Sequence, residues 1–137
     1  MPAGSYRGIH HLGIAVDDLD AAIANYGALF GAEFEHREVL PEQGVEAASL
    51  IVGGSRLELL HALAPDTPVG RFLASRGPGM HHVAFRVDDI ASELARLSAG
   101  GARLIDETPR PGLFGLQVAF VHPESTGGVL AELVSDE

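Results

Sequence analysis

Two histidines and two glutamates occupy repeated positions in the two halves of the sequence. The segment HHLGIAVDDL at 10–19 is repeated 71 residues later as HHVAFRVDDI at 81–90. The segment GGSRLEL at 53–59 is repeated 74 residues later as GGVLAEL at 127–133. The residues at the matching positions are His11, Glu58, His82 and Glu132. Imidazole nitrogens and carboxylate oxygens together suit a divalent ion and leave positions open for substrate or water. The spacing therefore predicts a metal site to which each half contributes one histidine and one glutamate.

Strand alternation places these four side chains on one face of the predicted sheet. Consecutive side chains in a strand point to opposite faces, so one member of each His-His pair can face a given side. The large apolar residues at alternate positions are expected to pack against helices, which leaves the four candidate ligands on the concave face. His10 and His81 are then expected to pack beside the ligands or to support them. A buried carboxylate without a partner is costly, so glutamates at two strand centres indicate a bound cation or a nearby arginine.

Hydrophobic periodicity predicts the same order of elements, βαβββ, in both halves. In the first half, we expect a helix that begins at Asp17 or Asp18 and ends at Gly31, and strands near 9–16, 34–39, 45–52 and 55–61. In the second half, we expect a helix at about 89–99 and strands near 81–87, 102–106, 116–122 and 128–134. Between the halves, residues 66–77 predict a short helix. The proline- and glycine-rich stretch 108–115 is a candidate lid or substrate contact.

The chain of 137 residues is expected to form a single domain. Each half alone, at roughly 65 residues, would bury a marginal core, so the halves are expected to share one. The predicted class is α+β: two tandem βαβββ modules form a curved, cup-like mixed sheet around a central metal- or ligand-binding cavity, with the helices outside. Module one spans about 8–62, a connector about 63–79, and module two about 80–135.

Composition excludes several classes of function. The net charge is −10 and the nine basic residues are all arginine, so no basic run is available to bind nucleic acid. The lack of lysine excludes Schiff-base chemistry, and the lack of cysteine excludes thiolate and disulfide chemistry. No apolar run approaches the roughly 20 residues that span a bilayer, and no secretory signal is recognisable. We therefore expect a cytoplasmic protein without a membrane or nucleic-acid partner.

Two glutamates related by a pseudo-twofold repeat point to a specific reaction. A divalent ion can polarise a substrate carbonyl and stabilise the enolate that forms when the neighbouring carbon loses a proton. Glu58 and Glu132 would then flank this carbon from opposite sides, one removing the proton and the other returning it. The pattern therefore predicts a 1,1-proton transfer that inverts or isomerises a centre next to a carbonyl group.

The βαβββ tandem with its His, Glu, His and Glu set resembles the vicinal oxygen chelate superfamily, which includes glyoxalase I, bleomycin-resistance proteins and extradiol dioxygenases. Within this superfamily, stretches that span nearly the whole chain resemble the methylmalonyl-CoA epimerase family. They are LPEQGV at 40–45, LELLH at 57–61, GMHHVAFRVDDI at 79–90, and HP at 122–123 followed by GGVLAEL at 127–133. The last of these stretches is the most specific.

The resemblance implies a metal-dependent isomerase that interconverts (2R)- and (2S)-methylmalonyl-CoA through a metal-stabilised thioester enolate, in propionate or branched-chain carbon metabolism. By position, the implied ligands are His11, Glu58, His82 and Glu132. The ion is divalent, with Co, Ni, Mn, Zn and Mg all compatible with these donors. The resemblance also implies that Glu132 acts as a catalytic base.

The second base has two candidates. Some members of the family carry glutamine at the position of Glu58 and a second catalytic glutamate on the strand after the Gly-Val pair. That position is Ala47 in this chain, and the neighbouring glutamate, Glu46, is expected on the opposite face of its strand. Glu58 is therefore the first choice for the second base, by symmetry, and Glu46 is the second choice.

The resemblance also implies a small-molecule acyl-CoA substrate and a homodimer. A polyanionic coenzyme A ester requires local positive charge in a chain whose net charge is −10. Arg71 and Arg76 in the connector and Arg110 in the 108–115 loop are the candidates for binding the phosphates.

Two other functions fit part of the pattern. A glyoxalase I-type lactoylglutathione lyase would use the same four ligands, although the 40–45 stretch and the one that begins at 122 favour the epimerase. A metal-free protein that binds a drug, as bleomycin-resistance proteins do, requires a cavity but no ligands. An iron dioxygenase uses two histidines and one carboxylate, so a fourth ligand argues against it. The acyl group also stays open, since a pocket distinguishes ethylmalonyl-CoA, larger by one methylene, by about 1–3 kcal/mol.

Overall fold

The computed structural model describes residues 6–135, and these residues form two compact units. The first unit consists of residues 11–81, and the second consists of residues 6–10 together with residues 82–135. Within residues 6–135, no helix has the length and apolar character needed to cross a bilayer.

The elements follow the βαβββ order twice, with a short helix between the two sets. In chain order they are β1 (Tyr6–Ala15), α1 (Leu19–Phe30), β2 (Glu33–Leu40), β3 (Val45–Val52), β4 (Ser55–Ala62), α2 (Pro68–Arg76), β5 (Gly79–Val87), α3 (Ile90–Ala99), β6 (Arg110–Pro111), β7 (Gln117–Val121) and β8 (Ala131–Ser135). The predicted α+β class and the two βαβββ modules are therefore confirmed, as is the connecting helix.

The sheet of the first unit packs one face against α1. Its strand order is β2-β3-β4-β1, and all pairs are antiparallel except the parallel pair of β4 and β1. Helix α1 begins where the Asp18 side chain accepts a hydrogen bond from the Ala21 amide, and it ends at Gly31, whose φ of 67° favours glycine. The buried core between this helix and the sheet includes Val16, Leu19, Ala48, Leu50 and Leu59. We call this side of the sheet the α1 face.

The sheet of the second unit repeats this plan. Its strand order is β5-β8-β7-β6, with β5 and β8 parallel and the other pairs antiparallel. Asp89 caps α3 by accepting a hydrogen bond from the Ser92 amide. The buried core that α3 shares with the sheet includes Val87, Ile90, Leu94, Ala119, Val121, Ala131 and Leu133.

The prediction of a strand at 102–106 is wrong. This segment makes a single isolated bridge, and the strand that pairs with the outer side of β7 is the short β6, inside the segment predicted as a loop. The amides of Ile105 and Asp106 both donate to the Phe120 carbonyl, and the Asp106 carboxylate accepts from the Phe120 amide. The Asp106 side chain therefore accepts the hydrogen bond from Phe120 that a backbone carbonyl would accept in a regular strand pair.

The start of β1 is fastened to α3 within the second unit. The Tyr6 hydroxyl donates to the Glu93 carboxylate, which is 3% exposed. Arg96 donates two further hydrogen bonds to this carboxylate, at 2.9 and 2.6 Å, and the Tyr6 ring meets Phe85 edge-on at 6.1 Å. These contacts satisfy a buried carboxylate and hold residues 6–10 against the helix.

Replacing Tyr6 by phenylalanine is expected to reduce a loss of stability at alkaline pH. Burial, together with the hydrogen bond to Glu93, raises the pKa of Tyr6 to about 12. The neutral phenol therefore stabilises the fold fully below the ordinary tyrosine pKa of about 10, and this contribution is lost as the pH rises from there toward the pKa of the folded state. The chain has two tyrosines and no lysine or cysteine, so few other groups titrate in this window.

Urea unfolding between about pH 8 and about pH 11 measures this effect. We expect the free energy of unfolding of the wild type to fall across the range, and to fall less in Tyr6→Phe. The control Tyr26→Phe should still show the wild-type fall. At neutral pH, Tyr6→Phe should cost about 1 kcal/mol, because Arg96 still pairs with Glu93. An equal alkaline loss in Tyr6→Phe and in the wild type would contradict the prediction.

Candidate functional site

In the first unit, His11 and Glu58 form a buried pair. Strands β1 and β4 run parallel, and the register that sets Gly13 opposite Glu58 brings the His11 ring, two residues earlier, beside the carboxylate. His11 Nε2 lies 3.6 Å from Glu58 Oε2, and the two side chains are 3% and 6% exposed. The carboxylate is thus withdrawn from water and faces an imidazole.

In the second unit, His82 and Glu132 form a pair of the same kind. Strands β5 and β8 also run parallel, with Ala84 opposite Glu132, and His82 again stands two residues earlier. His82 Nε2 lies 3.1 Å from Glu132 Oε1, and both side chains are buried. The repeat in the sequence therefore produces the same register offset and the same buried pair in each unit.

The strand alternation predicted from the sequence is present around both pairs. Leu59, next to Glu58, belongs to the core against α1. Ala131 and Leu133, on either side of Glu132, belong to the core against α3. The two glutamates therefore point to the other sides of their sheets. We call these sides the Glu58 face of the first sheet and the Glu132 face of the second.

Both pairs combine donor types that suit a divalent metal ion, and the His82–Glu132 pair also has the spacing of two ligands to one ion. Glu58 and Glu132 are both buried, and a carboxylate so deeply buried is costly unless a cation or several donors balance it. A neutral imidazole offers one N–H or one lone pair at each nitrogen, so it does not cancel the charge. Two donors that each bind an ion at about 2.1 Å, at a right angle, lie about 3 Å apart. The 3.1 Å between the His82 and Glu132 donor atoms matches this spacing.

The Glu132 face surrounds its pair with apolar side chains. Phe120 lies opposite Glu132 in the register of β7 and β8, and it meets the His82 ring edge-on at 5.6 Å. A buried cluster on the same face consists of Ala84, Val118 and Val134. This wall lowers the local polarity, which strengthens any electrostatic interaction that the pair makes.

The Glu58 face carries a polar network that the repeat alone does not reveal. Ser49 lies opposite Glu58 in the register of β3 and β4, and it is fully buried. Its hydroxyl donates to Glu35, and Arg56 donates two hydrogen bonds to the same carboxylate, at 2.9 and 3.0 Å. The signal in the sequence is a single serine within the otherwise apolar run at 47–52.

Glu46 lies on the α1 face of β3. Its neighbour Ala47 is on the Glu58 face, because alternate residues of a strand point to opposite sides. Arg37 Nε donates to the Glu46 carboxylate at 2.8 Å, and the same guanidinium also binds Asp20 of α1. Glu46 is thus held in an ion-pair network on the side of the sheet away from Glu58.

The histidines beside the pairs make other contacts. His10 is buried, and His81 meets the Phe72 ring edge-on at 5.0 Å, in agreement with the packing role expected for both. On β2, His36 Nε2 lies 2.9 Å from Glu38 Oε1. Both of these β2 side chains are half-buried.

Arg71 and Arg76 both lie on α2 and make local contacts there. Arg71 donates to the Asp66 carbonyl at 2.7 Å. The Arg76 guanidinium lies over the Phe72 ring, 5.6 Å from its centre. Phosphate binding by either residue would have to compete with these contacts.

Arg110 is placed beside the Glu132 face. Its guanidinium lies over the Phe120 ring at 5.4 Å, and its Nε is 3.3 Å from the Asp106 carboxylate. In the register of β6 and β7 it stands opposite Val118, which belongs to the apolar wall around Glu132. Of the three candidate arginines, it is thus the one that borders a buried histidine–glutamate pair.

The sequence matches a known family model and known enzymes. The model described as Glyoxalase/Bleomycin resistance protein/Dioxygenase superfamily matches residues 10–120. The mitochondrial methylmalonyl-CoA epimerase of Bos taurus is 38% identical over 133 residues, which cover 96% of this chain and 76% of that protein.

Two solved structures share the fold along almost the entire chain. The crystal structure of methylmalonyl-CoA epimerase from Mycobacterium tuberculosis has a TM-score of 0.95 and 39% identity, and the match covers 100% of this chain and 93% of that one. A Streptomyces coelicolor methylmalonyl-CoA epimerase in complex with 2-nitronate-propionyl-CoA has a TM-score of 0.92 and 42% identity, and the match covers 96% of this chain and 98% of that one. The chain therefore belongs to the Glyoxalase/Bleomycin resistance protein/Dioxygenase superfamily and, within it, to the methylmalonyl-CoA epimerase family.

Proposed function

We propose that the protein is an isomerase that interconverts (2R)- and (2S)-methylmalonyl-CoA by 1,1-proton transfer. Membership of the family supports the reaction, and a relative that covers almost the whole chain binds 2-nitronate-propionyl-CoA. The observation that carries the proposal is the buried histidine–glutamate pair that recurs in both units. A reaction that removes a proton from one side of a carbon and returns it to the other requires two proton-transfer groups.

The two pairs are proposed to hold one divalent ion, with His11, Glu58, His82 and Glu132 as its ligands. The support is the donor types of both pairs, the spacing of the His82 and Glu132 donor atoms, and the repeat that relates the pairs. When bound, the ion supplies a Lewis acid that polarises the thioester carbonyl and stabilises the negative charge of the enolate. Co, Ni, Mn, Zn or Mg all suit nitrogen and oxygen donors of this kind.

Glu132 is the first proton-transfer group. Its carboxylate takes the proton from C2 of the acyl group and becomes a carboxylic acid. Phe120 and the apolar cluster beside it lower the polarity around the carboxylate, which strengthens its electrostatic interactions. For the second group, the repeat favours Glu58. Glu46 is the weaker candidate, because it lies on the α1 face and is bound by Arg37.

The coenzyme A phosphates are proposed to meet Arg110, with Arg71 and Arg76 as further candidates. Arg110 borders the Glu132 face, and its positive charge offsets the local excess of acidic groups. We also propose that the protein acts as a cytoplasmic homodimer, as expected from its composition and its family.

Chelation of the metal is expected to abolish hydrogen exchange at C2 of methylmalonyl-CoA. In deuterated water, the wild type should exchange this hydrogen at a rate that NMR follows directly. Treatment with a chelator should lower the rate at least about 100-fold, since the enolate then lacks its Lewis acid, and adding back a divalent ion should restore it. Exchange that survives verified metal removal would contradict the metal site. No exchange with any ion would contradict the epimerase and favour the lactoylglutathione lyase or drug-binding alternatives.

Glu132→Gln is expected to lower kcat by a factor of about 10² to 10⁴, because an amide of nearly the same shape cannot accept the C2 proton. The control is Glu107→Gln, which removes an exposed carboxylate from the same unit and should leave kcat unchanged. Steady-state kinetics, with metal content and circular dichroism measured in parallel, separate loss of the base from loss of the fold. A kcat within a few-fold of the wild type would refute the role of Glu132.

Arg110→Gln is expected to raise KM for the coenzyme A ester by about threefold to tenfold, the effect of losing a partly exposed ion pair. The matched measurement uses the pantetheine thioester, which carries the same acyl group without the nucleotide phosphates. Its KM should be the same in the variant and the wild type. If KM rises equally for both esters, Arg110 contacts another part of the substrate.

A further inference from the structure

The first sheet offers more candidates for the second proton-transfer group than the repeat suggests. Inversion at one carbon requires a base on each side of it, and Glu132 accounts for one. Strand register and side-chain contacts place four carboxylates on the Glu58 face of the first sheet: Glu33, Glu35, Glu38 and Glu58. Their surroundings differ enough to separate their roles.

Three of these carboxylates are poorly suited to accept a proton from substrate. Glu58 is deeply buried against His11, as Glu132 is against His82, and in this inference it serves only as a metal ligand. Glu35 accepts hydrogen bonds from Ser49 and from two nitrogens of Arg56, which stabilise its ionised form and occupy its lone pairs. Glu33 is exposed at the far end of β2.

Glu38 has the surroundings expected of a base. It lies directly opposite Ala47 on the Glu58 face, and Ala47 itself is fully buried. Its side chain is 33% exposed, so it is partly withdrawn from water but open to a ligand. His36, on the same face of β2, contacts its Oε1 from 2.9 Å and fixes the orientation of the carboxylate.

Glu38 is also within reach of a substrate held beside Glu58. The two residues are separated by two strands and two register steps, which places their Cα atoms about 12 Å apart for ideal strands. The Glu58 carboxylate lies against His11 of β1, on the side away from β2, and the Glu38 carboxylate lies against His36, which is level with Ser49 and Glu58. Two strand spacings, about 10 Å, therefore separate the two carboxylates, and an acyl group held beside Glu58 must extend across β3 to meet Glu38.

We propose that Glu38 is the second base of the 1,1-proton transfer and that Glu58 acts as a metal ligand. This inference rests on the proposed epimerase function. For one epimer, the Glu38 carboxylate takes the C2 proton and becomes a carboxylic acid, and the electron pair of the C–H bond passes into the thioester enolate. Protonated Glu132 then delivers its proton to the opposite side of C2 and becomes a carboxylate. Exchange with water returns both groups to their starting states.

Glu38→Gln is tested with each epimer of methylmalonyl-CoA separately, in deuterated water. An enzyme with one base left still exchanges the epimer whose proton faces that base, because the proton leaves and a deuteron returns to the same side. We expect Glu38→Gln to lose exchange of one epimer at least about 100-fold and to keep that of the other within about threefold. Interconversion of the epimers should be lost. Glu132→Gln should lose exchange of the opposite epimer.

Metal content and a matched control complete the experiment. Glu38→Gln should keep the metal content of the wild type, whereas Glu58→Ala should lower it. Glu33→Gln removes an exposed carboxylate from the same strand and the same face, and it should exchange both epimers at wild-type rates.

The outcomes separate this inference from the function on which it rests. If Glu38→Gln exchanges both epimers like the wild type, Glu38 is not a base and the epimerase function still stands. If it loses exchange of both epimers together with the metal, Glu38 supports the metal site and the inference is overturned. If the wild type itself exchanges neither epimer, the proposed function fails.

Discussion

The burial of one glutamate beside one histidine at the centre of each sheet is the constraint on which the rest of the structure depends. An ionised carboxylate that water hardly reaches, such as Glu58 or Glu132, destabilises the fold unless a cation or several donors balance it. The histidine at each pair offers a nitrogen donor that can share such a cation. The cost of burying charge thus explains why these residues have the arrangement that a metal ion could stabilise.

The parallel strand pair of each unit turns the sequence repeat into matching geometry, yet the surroundings of the two pairs have diverged. In both units the glutamate stands opposite the residue two places after the histidine. Around Glu132 the neighbours are apolar, with Phe120 against the histidine ring. Around Glu58 they are polar, and Arg56, Ser49 and Glu35 form a connected network. The two pairs therefore share their geometry but not their surroundings, so they need not have the same chemical role.

The elements themselves were largely predictable because their causes are local. Helix α1 begins at Asp18, one of the two positions that the sequence suggests, and α3 begins after Asp89, as its predicted bounds suggest. Alternation of apolar residues marks the strands that carry the two pairs. The prediction failed at 102–106, where the Asp106 carboxylate takes the amide of Phe120. That hydrogen bond joins residues far apart in the chain, and local periodicity carries no information about it.

The sequence by itself determined which residues form the two pairs and which face of its strand each one occupies, since the period of two follows from backbone geometry alone. The tertiary structure decided what lies beside them. The register between β2 and β3 sets Glu38 opposite Ala47, and the ion pair with Arg37 holds Glu46 on the α1 face. Register depends on hydrogen bonds between strands and on a bulge in β2, so it is settled only when the strands pair.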